Sequence, residues 1–146
     1  NIPDDDETTI VHGDYRLDNM ILRNNEVIGI LDWELSTLGH PIADFSYHCL
    51  SWRTQEAFWD EAKLKELGIP SEKEYMEMYC KYSGKDLSKN WEFYMAFNMF
   101  KIAGILQGIL GRVRDGTAAS KHAEERGNMV FPLSQAAWET IENNFL

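Results

Sequence analysis

The sequence predicts an α+β chain in which a small β-hairpin region packs on a mainly α-helical lobe. Two observations carry that prediction. The β-favouring runs are confined to the first third and stop at Leu31, and the residues beyond them follow helical spacing. Two of the three β runs flank Asn24-Asn25, which suits a hairpin turn because Asn tolerates positive φ. Three such runs are too few for an independent sheet, so they must pack on helices.

The elements follow in order. Thr8 to Val11 is a short β run that ends at His12-Gly13-Asp14. Met20 to Leu22 and Val27 to Leu31 are the two hairpin runs. Pro41, after the loop Gly39-His40, sits well in the first turn of a helix running to about Trp52. A helix from about Glu56 stops at Gly68, with Pro70 just beyond. Ser71 followed by Glu74 is a capping box that opens a helix ending near Gly84. A long helix is predicted from about Ser88 to Arg114, carried by Trp91, Tyr94, Met95, Met99 and Ile102 and continuing through Val113. A last helix covers roughly Ala118 to Asn143, with a kink or break expected at Pro132.

At 146 residues the chain fits a single domain, 1–146, with one sizeable core. The net charge of −10 would repel a phosphate backbone, so no nucleic-acid partner is expected; an acidic protein handling nucleotides needs a local remedy, usually a divalent cation, while the charge by itself reads most simply as a soluble surface. No apolar run approaches the ~20 residues that span a bilayer, so no membrane span is expected. Cys49 and Cys80 are too few for a disulfide framework and lack zinc-ligand spacing, which makes a reducing, intracellular setting the expectation. The acidic run Asp4-Asp5-Asp6-Glu7 reads most simply as solvated.

The chemistry concentrates in His12-Gly13-Asp14-Tyr15-Arg16-Leu17-Asp18-Asn19, which fits H-x-D-x-x-x-x-N between two β runs. Thirteen residues after Asn19 comes Asp32, at the end of a β run. Phosphoryl transfer from ATP needs a base beside the acceptor hydroxyl, and carboxylate or amide oxygens to hold Mg2+ on the phosphates. Two loops at the ends of paired strands can bring Asp14, Asn19 and Asp32 together for that purpose. The octapeptide, the gap to Asp32 and the strand context make a far more specific signal than H-x-D alone.

This segment resembles the catalytic loop of protein-kinase-like enzymes, and the Gly after His12 resembles the aminoglycoside phosphotransferase/choline kinase branch. That branch continues with an aspartate-bearing strand end and a G-D-P-x-x-D stretch, which Gly39-His40-Pro41-Ile42-Ala43-Asp44 matches except at His40. His12 to Asn19, Leu31 to Pro41 and Ile102 to Gly108 are most similar to the kinase-like domain that precedes an acyl-CoA dehydrogenase in some fusion proteins, where His40 is expected.

The resemblance implies the C-terminal lobe of a protein-kinase-like fold and roles by position. Asp14 would orient or deprotonate the acceptor hydroxyl. Asn19 and Asp32 would hold Mg2+ and, through it, ATP. Glu34 would assist the metal, or else stand as a solvated loop residue. Arg16 would approach the transferred phosphate or pair with Asp18. His12 would hold the loop by hydrogen bonding, Asp44 would brace the loop backbone, and His40 would pack in its loop. Tyr47, Trp52, Trp91 and Tyr94 would line an acceptor pocket or, as helix aromatics usually do, the core.

Partners implied are a small-molecule hydroxyl acceptor, a hydroxyacyl-CoA by the fusion likeness, and a fused acyl-CoA dehydrogenase domain. No Gly-rich phosphate loop or strand lysine precedes His12. The resemblance therefore implies that the N-terminal, nucleotide-clasping lobe lies outside these residues, and that they are inactive alone. The edge exposed without that lobe would favour dimerisation or aggregation. Three other readings compete: a non-catalytic kinase-like binding module, a scaffold between fused domains, and a metallohydrolase built on His12, Asp14, Asp32 and His40.

Overall fold

A computed structural model describes residues 2–4, 7–54 and 61–145. The chain divides into two compact units, Pro3–Trp91 and Asn1–Ile2 with Glu92–Leu146.

The first unit holds every strand among the described residues. β1 (Thr9–Val11) pairs antiparallel with β4 (Thr37–Gly39), with Val11 opposite Thr37 and Thr9 opposite Gly39. β2 (Met20–Arg23) and β3 (Glu26–Ile30) form the predicted hairpin. Asn24 and Asn25 turn it at φ 52° and 62°, both positive as a type I′ turn demands. The pairing jumps from Ile21↔Gly29 to Leu22↔Val27, which leaves Ile28 as the extra residue of a β-bulge. β4 corrects the expectation that strand structure stops at Leu31. Its three residues carry no periodicity of their own and are strand only because β1 reaches them from far back in the sequence.

α1 (Pro41–His48) follows β4 directly. Pro41 takes the first helical position and the His40 side chain accepts the Ile42 N–H. The helix is shorter than predicted, because residues Cys49–Trp52 tighten into a 3-10 turn. α2 (Glu61–Glu66) ends as expected near Gly68, and its predicted start at Glu56 lies outside the described residues.

α3 (Glu72–Ser83) realises the capping box in both directions. The Glu74 N–H donates to Ser71 Oγ, and the Ser71 N–H donates to the Glu74 carboxylate at 2.8 Å. Gly84, at φ 73°, closes the helix. The core of this unit is Val11, Ile42, Phe45, Cys49, Leu50, Leu87 and Trp91. Phe45 stacks on Tyr79 at 3.8 Å between ring centroids, and Tyr75 and Trp91 close around it. Glu72 ties the unit together: it accepts from Arg53 at 2.6 Å and from the Trp91 indole N–H at 2.8 Å. Of the acidic run, Asp4 is exposed, Asp5 and Asp6 lie outside the described residues, and Glu7 pairs with Lys85, which corrects its reading as merely solvated.

The second unit is helical. α4 (Trp91–Arg114) enters it, followed by α5 (Ala123–Gly127) and α6 (Val130–Phe145). One face of α4 is buried through Tyr94, Met95, Asn98, Met99 and Ala103, while Phe97 and Phe100 on the other face are exposed. Apolar residues on both faces make α4 long and apolar enough to cross a membrane by length and composition alone. Pro132 neither kinks nor breaks a helix. It lies in the first turn of α6, where its missing N–H leaves no intrahelical bond unmade, and the predicted single helix is divided instead around Asn128-Met129.

Candidate active site

β1 delivers the chain into the octapeptide. Its buried end, Val11, is followed by buried His12 and then by Gly13 at φ 84°, a left-handed conformation that favours glycine. Arg16 is extended and residues Leu17–Asn19 form a 3-10 turn, closed by the Asn19 N–H donating to the Arg16 carbonyl at 3.0 Å. Asn19 then enters β2. The Leu31 N–H donates to the Asn19 carbonyl at 2.8 Å, one step beyond the hairpin ladder, so Asp32 follows directly on the residue paired with Asn19. Asp32 itself adopts φ 64° and ψ 53° and opens the exposed 3-10 turn Trp33–Leu35. A left-handed conformation at a non-glycine residue costs about 1–2 kcal/mol, so the surrounding bonds must over-determine it.

Three residues on one face of α1 hold four consecutive residues of the loop. The Asp44 carboxylate accepts the N–H groups of both His12 and Gly13, the latter at 2.8 Å. Tyr47 donates its hydroxyl to Asp14 Oδ1 at 2.6 Å. His48 Nδ1 lies 3.3 Å from the Tyr15 carbonyl, which can only accept, so Nδ1 carries the proton. Burial keeps the His48 imidazole below its ordinary value against that opposing bond.

His12 links the two loops. Its Nδ1 accepts the Asp14 N–H at 3.2 Å, and its Nε2 lies 2.7 Å from the Leu31 carbonyl. The tautomer follows: Nε2 bears the hydrogen and both ring nitrogens are engaged. The ring also packs against Trp33 at 4.7 Å between centroids.

Asp14 is held from both sides. Asn19 Nδ2 donates to Asp14 Oδ2 and to the Asp14 carbonyl, each at 2.9 Å, while Tyr47 holds Oδ1. Burial pushes the Asp14 carboxyl up, but the hydrogen bonds from Tyr47 and Asn19 and the Arg16 charge outweigh it, and the net displacement is downward. Burial and the Asp14 carboxylate in turn push the Tyr47 phenol up to about 12, so it remains a donor throughout the neutral range.

Among the predicted site residues, Asp14 and Asn19 are bonded to each other and Asp32 is brought alongside through Leu31. Arg16 is exposed and pairs with Asp18 at 2.9 Å. Glu34 stands on the exposed turn after Asp32. Because Asn19 spends its side-chain nitrogen on Asp14, its side-chain Oδ1 is the atom left for a cation. Among the described residues no three His, Cys, Asp or Glu side chains converge as a metal cage. One or two oxygen ligands fit Mg2+ carried by a nucleotide, whose phosphates complete its coordination. The metallohydrolase reading fails on His12, whose ring has no lone pair left for a metal.

Of the four aromatics proposed for a pocket, Trp91 and Tyr94 are buried, and Trp52 packs on Tyr75 while donating to the Pro70 carbonyl. Tyr47 instead serves Asp14, and His48 serves Tyr15. The available signal for both was their spacing of three and four residues from Asp44 on a predicted helix.

The profile of the phosphotransferase enzyme family matches residues 1–79, more than half of the chain. Acyl-CoA dehydrogenase family member 10 of Mus musculus is 42% identical over 95% of the chain, and acyl-CoA dehydrogenase family member 11 of Homo sapiens 37% over 99%. The chain spans only 14% and 20% of those two relatives. A crystal structure from Ralstonia eutropha JMP134, described as an aminoglycoside phosphotransferase, is 48% identical and superposes with a TM-score of 0.84, covering 93% of this chain and 43% of that one. The α+β architecture is therefore that of a kinase-like lobe, and the chain belongs to the phosphotransferase enzyme family.

Proposed function

We propose that this chain carries the catalytic loop of an ATP-dependent phosphotransferase that phosphorylates a hydroxyl group of a small molecule. The observation that carries the reading is the Asp14 carboxylate, held by Tyr47 and Asn19 next to the strand end that bears Asp32. Asn19 and Asp32 hold Mg2+, with Glu34 behind them, and Mg2+-ATP supplies the phosphoryl group. Asp14 orients the acceptor hydroxyl and takes its proton. A carboxylate kept below its ordinary range is a weak base at neutral pH, so orientation is its larger contribution, as a loose phosphoryl-transfer transition state allows. Arg16 exchanges Asp18 for the transferred phosphoryl oxygens. His12 and Asp44 hold the loop.

The acceptor we infer is a hydroxyacyl-CoA. Support comes from the names of the relatives, which are acyl-CoA dehydrogenase family members. Those relatives extend well beyond the matched segment, so a dehydrogenase domain on the same chain belongs to the proposal, as does an intracellular setting. A nucleotide-clasping lobe would cover the apolar side chains that β1 to β4 leave exposed, among them Ile10, Leu22, Val27 and Leu38.

The test is calorimetry of Mg2+-ATP with the natural full-length protein, beside Asp32→Ala, followed by ADP release with hydroxyacyl-CoA thioesters and with unrelated alcohols. Binding that disappears in the variant and turnover restricted to the thioesters are expected. Equal binding by both proteins would refute the metal role, and turnover with other alcohols alone would refute the acceptor.

A further inference from the structure

Asp44, Tyr47 and His48 lie on one face of α1, but they do different things. Asp44 and His48 hold loop backbone, at His12, Gly13 and Tyr15. Tyr47 reaches side chains assigned to the reaction: its hydroxyl donates a 2.6 Å bond to Asp14 Oδ1, and the Arg16 guanidinium also bears on it. The opposite oxygen, Oδ2, is held by Asn19, which sits in the same loop as Asp14 and moves with it. Without Tyr47 the carboxylate would be tethered only to its own loop.

Each carboxylate oxygen offers two lone pairs, so one donor on each leaves one free on each. A phenol is well suited to this task. It has two rotatable side-chain torsions and it is carried by a helix, so little freedom is lost when it fixes its partner. We propose that Tyr47 is a positioning residue of the phosphotransfer site, anchoring the Asp14 carboxylate from α1 so that a remaining lone pair faces the acceptor hydroxyl. This deepens the phosphotransferase reading and rests on it.

The distinguishing consequence is a split between turnover and nucleotide binding. The strand ends that carry Asn19 and Asp32 are held to each other through the Leu31 N–H and the Asn19 backbone carbonyl, not through Tyr47, so its loss leaves the Mg2+-ATP ligands in place. What it loosens is the group that aims the acceptor, and a misplacement of roughly 1 Å there is enough for a hundredfold loss of rate. Tyr47→Phe removes the hydroxyl and keeps the ring, so the packing on α1 survives.

In the natural full-length protein, with Mg2+-ATP and a hydroxyacyl-CoA, Tyr47→Phe is expected to lower kcat roughly ten- to a hundredfold. Its affinity for Mg2+-ATP and its melting temperature should stay close to those of the unaltered protein. Unchanged kcat would overturn the proposal. So would a loss of nucleotide affinity and melting temperature in parallel with kcat, because the contact would then be structural only. Failure of the unaltered protein to phosphorylate any alcohol would refute the underlying reading instead. Crystal structures of both proteins decide the tether in that case. A single Asp14 rotamer in the unaltered protein and a displaced or divided one in Tyr47→Phe would uphold it, and the same single rotamer in both would overturn it.

Discussion

Gly13 is the residue whose replacement by alanine should be felt most sharply for the smallest chemical change. Two separate penalties apply. At φ 84° an added Cβ meets the backbone strain of the left-handed region, about 1–2 kcal/mol. It would also stand 2.6 Å from the Leu35 carbonyl oxygen and 3.1 Å from Leu35 Cβ. The nearer atom is backbone, so no side-chain rotation relieves the contact. The 3-10 turn that follows Asp32 has to shift, and overpacking of that kind costs roughly 1–3 kcal/mol.

Gly84 supplies the control. Its φ is 73°, and a Cβ there meets nothing within 4 Å, so Gly84→Ala should show the backbone strain alone. Equilibrium urea unfolding followed by tryptophan fluorescence should give a destabilisation of about 3 kcal/mol for Gly13→Ala and about 1 kcal/mol for Gly84→Ala. Because the displaced turn carries Asp32 at its start, only Gly13→Ala should also weaken Mg2+-ATP binding. Equal destabilisation by the two substitutions would show that the Leu35 carbonyl does not crowd Gly13, and the steric argument would fail.

Glu72→Ala should cost about 2–3 kcal/mol in the same unfolding experiment, because it removes the carboxylate that accepts from both the half-buried Arg53 guanidinium and the Trp91 indole N–H; a loss under 0.5 kcal/mol would mark the pair as a surface ornament. Gly127→Ala would place a Cβ 2.3 Å from Leu110 Cδ2 and should destabilise by roughly 1–3 kcal/mol, much of it recovered when Leu110 is also made alanine. A double variant no better than the sum of its parts would contradict that close approach. The cap of α3 should respond to acid. The Ser71 backbone N–H, and then its hydroxyl, hold the Glu74 carboxyl below its ordinary value of 4.5. A depressed carboxylate stabilises fully above the unfolded value, and that contribution is lost as pH falls below 4.5 through the folded one. Circular dichroism should therefore show α3 loosening in that window, and Glu74→Gln should flatten the response.

What could be read from the sequence was what is written locally. The hairpin is signalled by Asn24-Asn25, α1 by Pro41, α3 by Ser71 and Glu74 at its start and Gly84 at its end. Each signal sits within a few residues of the boundary it sets. β4 escaped because a three-residue strand is defined by its partner, and that partner is β1. Pro132 misled because proline is harmless in a first turn and disruptive further in, and the sequence pattern put the helix start too early. Asp14 and Asn19 were legible through the octapeptide, and their bond is observed. Tyr47 was not, because a helix aromatic faces core or loop according to how α1 docks, and its pattern is the same in both cases. Only its distance of three residues from Asp44 hinted at the loop.

The docking of α1 also explains how two carboxylates on separate loops are held in register without touching. Asp44 accepts the His12 and Gly13 N–H groups, which pins the backbone on both sides of the peptide between them. That fixes the left-handed turn at Gly13 and directs the Asp14 N–H onto His12 Nδ1. With Nδ1 accepting, the proton must lie on Nε2, and Nε2 donates to the carbonyl of Leu31, the residue before Asp32. The same Leu31 gives its own N–H to the Asn19 carbonyl, and Asn19 returns to Asp14 through its amide. The bonds close a ring from Asp14 through His12 to Leu31, then through Asn19 back to Asp14, with α1 holding it from one side. In such a ring the placement of Asp32 relative to Asp14 depends on the tautomer of a buried histidine as much as on either aspartate. His12 therefore serves here by geometry: replacing the ring would open the link between the loops while leaving both carboxylates present.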